Sequence, residues 1–268
     1  MTGAISTIKR GGARFYVDPS DGRIKVPGVT GIVDQLPKGF LRYWAVKVTA
    51  EAAVKTEDVW LPLARRDPPA AVDYLKAVHR RQASDAANVG SMAHDLFERA
   101  ARGEAINPRY VHADVRHHLR WFMEFLDEVQ PVFHHLEETV WSDQNQYAGS
   151  FDAIATVGGE RVVLDWKTSK DVYASVALQL SAYRYADRII LAATGDSIPM
   201  PELSGGAVLH VRPEGWKLVP VACGPDVYRK FLALRQVFDW ESEMQRGVIG
   251  RPIARGGATE TGTERRAA

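Results

Sequence analysis

The 268-residue chain has one cysteine, Cys223, so no disulfide can form within it. A single cysteine also excludes an all-cysteine zinc site and a four-cysteine iron–sulfur cluster. No apolar run reaches the ~18 residues that a membrane-spanning helix needs. The N-terminal MTGAISTIKRGG lacks the apolar core of a signal peptide. Neither sign of charge predominates: 34 Lys and Arg against 33 Asp and Glu leave a net charge of +1. No global basic field therefore announces nucleic acid, although a local patch is compatible with that balance. There is no GxGxxG after a strand, no GxxxxGK[ST] and no HExxH, so the common dinucleotide, P-loop and zinc-protease signatures are missing. Together these absences lead to the expectation of a cytoplasmic protein without membrane contact.

The hydrophobic content of 46% and charged content of 25% are those of a globular chain. Its length suits one large domain or a core with an appended subdomain. Residues 13–17 and 23–29 flank the turn sequence DPSDG and read as a hairpin. The pattern over 40–56 is helical. WLPLARRDPP interrupts it, a second helix runs to about 89, and Gly90–Ser91 reads as a junction before the helix of MAHDLFERAARG. Another helix is expected over 110–129, with Val111, Val115, Leu119, Phe122 and Leu126 on one face.

The texture changes at 131. Segments 132–142, 149–157 and 161–166 read as strands, 172–193 as a long helix, 206–212 and 216–221 as strands, and 225–246 as a last helix. The expected class is α/β (α+β), a mixed sheet flanked by helices with a mostly helical N-terminal region. The expected divisions are 1–89, a core over 90–247, and a disordered tail over 248–268 that has few core-forming residues.

Residues 149–167, GSFDAIATVGGERVVLDWK, place Asp152 and Asp165 amid apolar neighbours on either side of Gly158–Gly159. A turn there sets both acids at the same level of adjacent strands. Lys167 lies two residues beyond Asp165 and so shares its face. Burying such charge is costly unless it is paired. One explanation is an ion-pair cluster that sets register. The other is a hard divalent cation held by the carboxylates, with the lysine orienting water or steadying phosphate charge. Small Gly149 and Ser150 leave room beside the first acid. Thr168 and Ser169 follow the lysine in a loop suited to phosphate contact. Gln179 and Tyr183 share one helical face. Upstream, His94 is a further ligand candidate.

The ordered set GSMAH (90–94), GSFD (149–152), DWK (165–167) and QLSAY (179–183) resembles the PD-(D/E)xK nuclease superfamily, and within it the RecB-like branch. That branch includes CRISPR-associated exonucleases and phage exonucleases. The resemblance covers roughly residues 90–185 and implies a restriction-endonuclease-like core. It further implies a deoxyribonuclease, an exonuclease acting on DNA in recombination, repair or phage DNA processing. Mg²⁺ or Mn²⁺ would be its cofactor and a recombination or single-strand-binding protein a further partner. Carried onto this chain, the catalytic residues are Asp152, Asp165 and Lys167. The metal ligands are His94, Asp152, Asp165 and the backbone carbonyl of Trp166, with Glu138 acting through water and Glu137 as the competing choice. Gln179, Tyr183, Thr168 and Ser169 would contact substrate. Several CRISPR-associated members bind an iron–sulfur cluster through four cysteines, which this chain lacks, so the likeness is to cluster-free, phage-type exonucleases. Residues 1–89 would clamp or guide the substrate. A rival expectation is a non-catalytic DNA-binding or assembly module that keeps the same fold.

Other features read more plainly. The pairs His117–His118 and His134–His135 do not point to one spot and read as solvated or core-edge histidines. Trp44, near Arg42 and Lys47, is the best candidate among the tryptophans for stacking on a base. Arg65–Arg66 and Arg80–Arg81 suit phosphate contacts or ordinary solvated charge equally well.

Overall fold

The computed structural model describes residues 5–254. Strands β1 (Thr7–Arg10), β2 (Ala13–Val17) and β3 (Lys25–Pro27) form a small antiparallel sheet in that order. The expected hairpin is present and has one more strand before it. Then come α1 (Val29–Val33), α2 (Gly39–Lys55), α3 (Glu57–Arg66), α4 (Pro68–Lys76), α5 (Val78–Ala101) and α6 (Ala113–Val129). The second half runs β4 (Val132–Ser142), β5 (Tyr147–Val157), β6 (Glu160–Lys167), α7 (Ser175–Arg184), β7 (Arg188–Ile190), β8 (Ser197–Pro199), β9 (Gly205–Arg212), β10 (Gly215–Val221) and α8 (Pro225–Ser242).

These last strands form a seven-stranded mixed sheet in the order β10-β9-β6-β5-β4-β7-β8. Only β6 and β9 run parallel, because α7 crosses between them; the other neighbours are antiparallel. Each face is covered by helices. On one side Val29 and Ile32 of α1, Leu180 and Tyr183 of α7, and Phe231 of α8 pack on Phe151, Ile154, Val163 and Val208. On the other, Phe97 of α5 and Leu119, Phe122 and Phe125 of α6 pack on Ala153, Leu164, Trp166 and Leu209. The fold is a mixed sheet between two helical layers. Among the described residues no helix is long and apolar enough to cross a membrane.

Four expectations need correction. The break at WLPLARRDPP is present but narrower than expected: α3 runs through its first part to Arg66 with Pro62 inside, tolerated on an exposed helix that gives up one backbone hydrogen bond, and the chain leaves the helix at Asp67, before Pro68–Pro69. Asp67 then caps α4, accepting from the N–H of Ala70, with Pro68 in the first turn. The junction at Gly90–Ser91 is absent. One continuous α5 spans it, held by Ala93, Leu96, Phe97 and Ala100 on the sheet-facing side. The division at residues 89 and 90 therefore falls within a helix. Phe15, Val29 and Ile32 place the small sheet and α1 on the main core, and α2–α4 are the elements that stand apart, with Val48 and Ala71 their few buried apolar residues.

The helix expected over 172–193 ends at Arg184. Ile189 and Ile190 instead pair with Val140 and Thr139, and the N–H of Asp187 bonds the carbonyl of Trp141. The expected tail falls largely on residues 255–268, outside the described residues; α8 ends at Ser242 and a short 3-10 turn follows at Met244–Gly247.

Candidate metal centre

Gly158 and Gly159 take φ of 59° and 88°, the left-handed pair that a two-residue hairpin loop requires, and Val157 pairs with Glu160 across it. That register carries Ala153 opposite Leu164, and the next step sets Asp152 level with Asp165. The ladder stops there. From Asp165 to Lys167, β6 pairs with β9 alone, and β5 bends away to follow β4. The two acids thus stand at a fork in the sheet.

The fork is bridged by side chains. Asp152 Oδ2 accepts from the backbone N–H of Trp166 at 2.5 Å, in place of a ladder bond. Trp166 itself is buried edge-on to the stacked rings of Phe97 and Phe122. This anchor fixes the end of β6, and alternation then turns Asp165 and Lys167 to the α7 side.

Asp165 is buried and Lys167 is its partner, with Nζ 2.8 Å from Oδ1 and 2.7 Å from Oδ2. The contact to Oδ2 lies off the hydrogen-bonding direction. Among the described residues Oδ2 is the one buried carboxylate oxygen without a hydrogen bond. Gln179 Nε2 donates to Asp165 Oδ1 at 3.0 Å and to the Tyr183 hydroxyl at 3.1 Å. Burial pushes the Asp165 pKa up to about 6 even beside Lys167. Burial works against the Lys167 ammonium, but Asp165 and Asp152 outweigh it and hold its pKa above the ordinary lysine value.

His94 enters from α5, with Nδ1 3.4 Å from Asp152 Oδ1. Its burial disfavours the imidazolium; Asp152 more than offsets this and raises its pKa. The third member of the group is Glu137. Donor atoms of His94, Glu137 and Asp152 all lie within 4.8 Å of one another. Burial, then the nearby Asp152, pushes the Glu137 pKa up to about 8.

Of the two acids weighed on β4, Glu137 is the one that joins the group: the Glu138 carboxylate accepts from the N–H of Ala192 and lies outside it. The reason is a backbone feature that residue identity does not announce. Glu137 adopts φ of 53°, between the Leu136–Ala153 and Glu138–Phe151 pairs, and faces Asp152. The alternation slips on both strands here. Leu136 packs with α5 and α6 while Val140 packs with α7, and Phe151 and Ile154 share a layer although three residues apart.

The remaining predicted residues are also placed. The carbonyl of Thr168 accepts from Arg212 and its side chain lies against Gly90 of α5. Ser169 donates to the carbonyl of Asp171 and accepts at its own carbonyl from His210. Gly149 leaves no room for a ligand: a Cβ there would meet the Tyr183 ring at 2.8 Å and Val29 at 3.0 Å, so its smallness admits α7 and α1. Sequence reasoning missed Tyr16, whose hydroxyl accepts from the N–H of Ser150 at 3.2 Å and ties the small sheet to the GSFD segment. Histidines 117, 118, 134 and 135 take no part in the group.

No protein-family model matches the chain, and no curated protein does. Among solved structures, the crystal structure of SSO0001 is 15% identical and covers 56% of this chain and 71% of that one, with a TM-score of 0.29. A likeness of that degree carries no argument about fold or function.

Proposed function

We propose that the protein is a divalent-metal-dependent deoxyribonuclease of the PD-(D/E)xK superfamily, RecB-like branch, acting as an exonuclease. The observation that carries this reading is the convergence at the sheet fork. His94, Glu137 and Asp152 come from a helix and two strands to within 4.8 Å, and Asp165, Lys167 and Gln179 form the adjoining cluster. A mixed sheet covered on both faces is compatible with the restriction-endonuclease-like core that the motifs imply.

The donor set suits a hard divalent ion, since carboxylates with one imidazole favour Mg²⁺ or Mn²⁺. His94, Glu137 and Asp152 would hold it, Asp165 would add Oδ2, and Trp166 its carbonyl. When bound, the cation offsets phosphate charge and lowers the pKa of a bound water. The chain does the rest. The Trp166 N–H keeps Asp152 Oδ2 engaged, which leaves Oδ1 toward His94. Gln179 and Tyr183 hold Asp165, and Asp165 holds Lys167. With its pKa above the ordinary value, Lys167 acts as a cation. It donates from Nζ to the attacking water and to the charge that develops on the phosphate. Glu137 and His94 must each shed a proton to ligate, so metal affinity climbs with pH.

The test is cleavage of single- and double-stranded DNA with Mg²⁺ or Mn²⁺. Wild type is expected to cleave. Asp152→Ala should abolish cleavage, and Lys167→Ala should slow it by roughly 10²–10⁴-fold, the range a positioned proton-handling or charge-stabilising group supplies. Activity that survives both substitutions overturns the reading.

A further inference from the structure

Helix α2 is apolar without having a core to serve. Only Val48 is buried, while Phe40, Leu41, Tyr43, Val46 and Val54 are exposed. A patch of that kind on a soluble surface marks a contact. Its first turn is not free-standing: the Phe40 ring stacks on Tyr173, with centroids 5.4 Å apart and planes within 12°, and both rings stay about half exposed. Tyr173 belongs to the loop that leaves Lys167 and carries Thr168 and Ser169. Two accessible aromatic faces, one on α2 and one on the loop that leads out of the candidate metal centre, therefore stand together.

The charge around them is mainly basic. Residues 38–81 carry nine Lys and Arg against five Asp and Glu, within a chain of net charge +1. Arg42, Lys55, Arg65, Arg66 and Lys170 make no ion pair among the described residues, and the Lys47–Glu51 contact is an exposed 3.7 Å pair. Helical spacing puts Phe40, Tyr43 and Lys47 on one side of α2. Aromatic faces interleaved with exposed cations fit single-stranded nucleic acid: bases stack on the rings and phosphates meet the cations. A duplex keeps its bases stacked on one another and has no face to offer.

We infer that Phe40 and Tyr173 form a base-stacking platform that receives unpaired nucleotides of a DNA strand beside the metal centre, with Lys170 and Lys47 taking its phosphates. The identity of the ligand rests on the nuclease reading. The platform, with Tyr43 beyond it, displaces Trp44 as the stacking group, since Trp44 is only partly exposed.

The test measures binding of a fluorescein-labelled oligodeoxynucleotide by anisotropy, with Ca²⁺ as the divalent ion, in single- and double-stranded form. Phe40→Ala and Tyr173→Ala should each weaken single-strand binding about tenfold, within the ~1–3 kcal/mol that stacking on one base supplies, and affect duplex binding far less. Phe40→Trp should restore single-strand binding. An oligonucleotide carrying 5-iodouracil should photo-crosslink to Phe40 or Tyr173 of the wild type, a readout that loss of folding cannot imitate. Unchanged single-strand binding in both alanine variants, equal losses for both forms, or crosslinks that map elsewhere overturn the inference. The two proposals fail separately. Cleavage with binding indifferent to both rings removes only the platform, and ring-dependent binding without metal-dependent cleavage removes only the nuclease reading.

Discussion

Glu137 keeps a left-handed backbone, which costs a residue with a Cβ about 1–2 kcal/mol, and it does so to face another acid. Folding raises its pKa from 4.5 to about 8. An acid whose pKa is raised stabilises the fold fully below its unfolded value and loses that contribution as pH climbs through the folded one. In the presence of chelator, Glu137→Gln should therefore melt like wild type near pH 4.5 and at progressively higher temperature than wild type up to about pH 8. Thermal melts across that range check this; a difference independent of pH would refute it. Saturating Mg²⁺ or Mn²⁺ should reverse the order at high pH, because wild type gains a ligand that the variant lacks.

Two glycines differ in what their elements ask of them. Gly149 lies where a Cβ would press into the Tyr183 ring and Val29, so Gly149→Ala should cost about 1–3 kcal/mol by overpacking. Gly90 lies inside α5 with an ordinary backbone, and a Cβ there would reach Thr168 Oγ1 at 3.4 Å, so Gly90→Ala should stabilise by up to about 1 kcal/mol. Urea denaturation of both variants decides, and a loss at Gly90 would show that the Thr168 contact is intolerant. Gly90 also explains one misread junction. A glycine can punctuate a helix or be carried by one, and the outcome depends on whether flanking residues such as Ala93 and Phe97 have a sheet to pack on. The β4–β5–β6 meander was legible because alternation and the Gly158–Gly159 turn act locally. β7 was not, since Ile189 and Ile190 continue a helical-looking run and are claimed by pairing with distant β4. In the site, the hairpin spacing brought Asp152, Asp165 and Lys167 together, and the resemblance to the nuclease motifs added His94. The choice of Glu137 over Glu138 hung on a φ angle that no pattern of side chains encodes.

Across the whole molecule, burial is unevenly shared. The sheet and its two helical layers hold nearly all the buried apolar side chains, whereas α2 buries Val48 and α3 none. Regions with so few buried contacts open locally, at a lower free energy than global unfolding. Amide exchange should accordingly be much faster in α2–α4 than in the centres of β5 and β6, and limited proteolysis should cut first in α3. Uniform protection would contradict this.

Helix α5 belongs to both regions. Its first half, through Arg80 to Asn88, is exposed, and its second half is locked under the sheet with His94 at the candidate metal centre. At ~1.5 Å per residue it is a rod of roughly 36 Å. A stiff rod transmits torque, so a ligand that gripped and tilted the exposed half would also move the imidazole. Occupancy at the outer end and ion affinity at the inner end would then be thermodynamically linked. On the two proposals above, whatever factor a strand bound along α2–α5 imposed on the affinity of the ion, the ion would impose on the affinity of the strand.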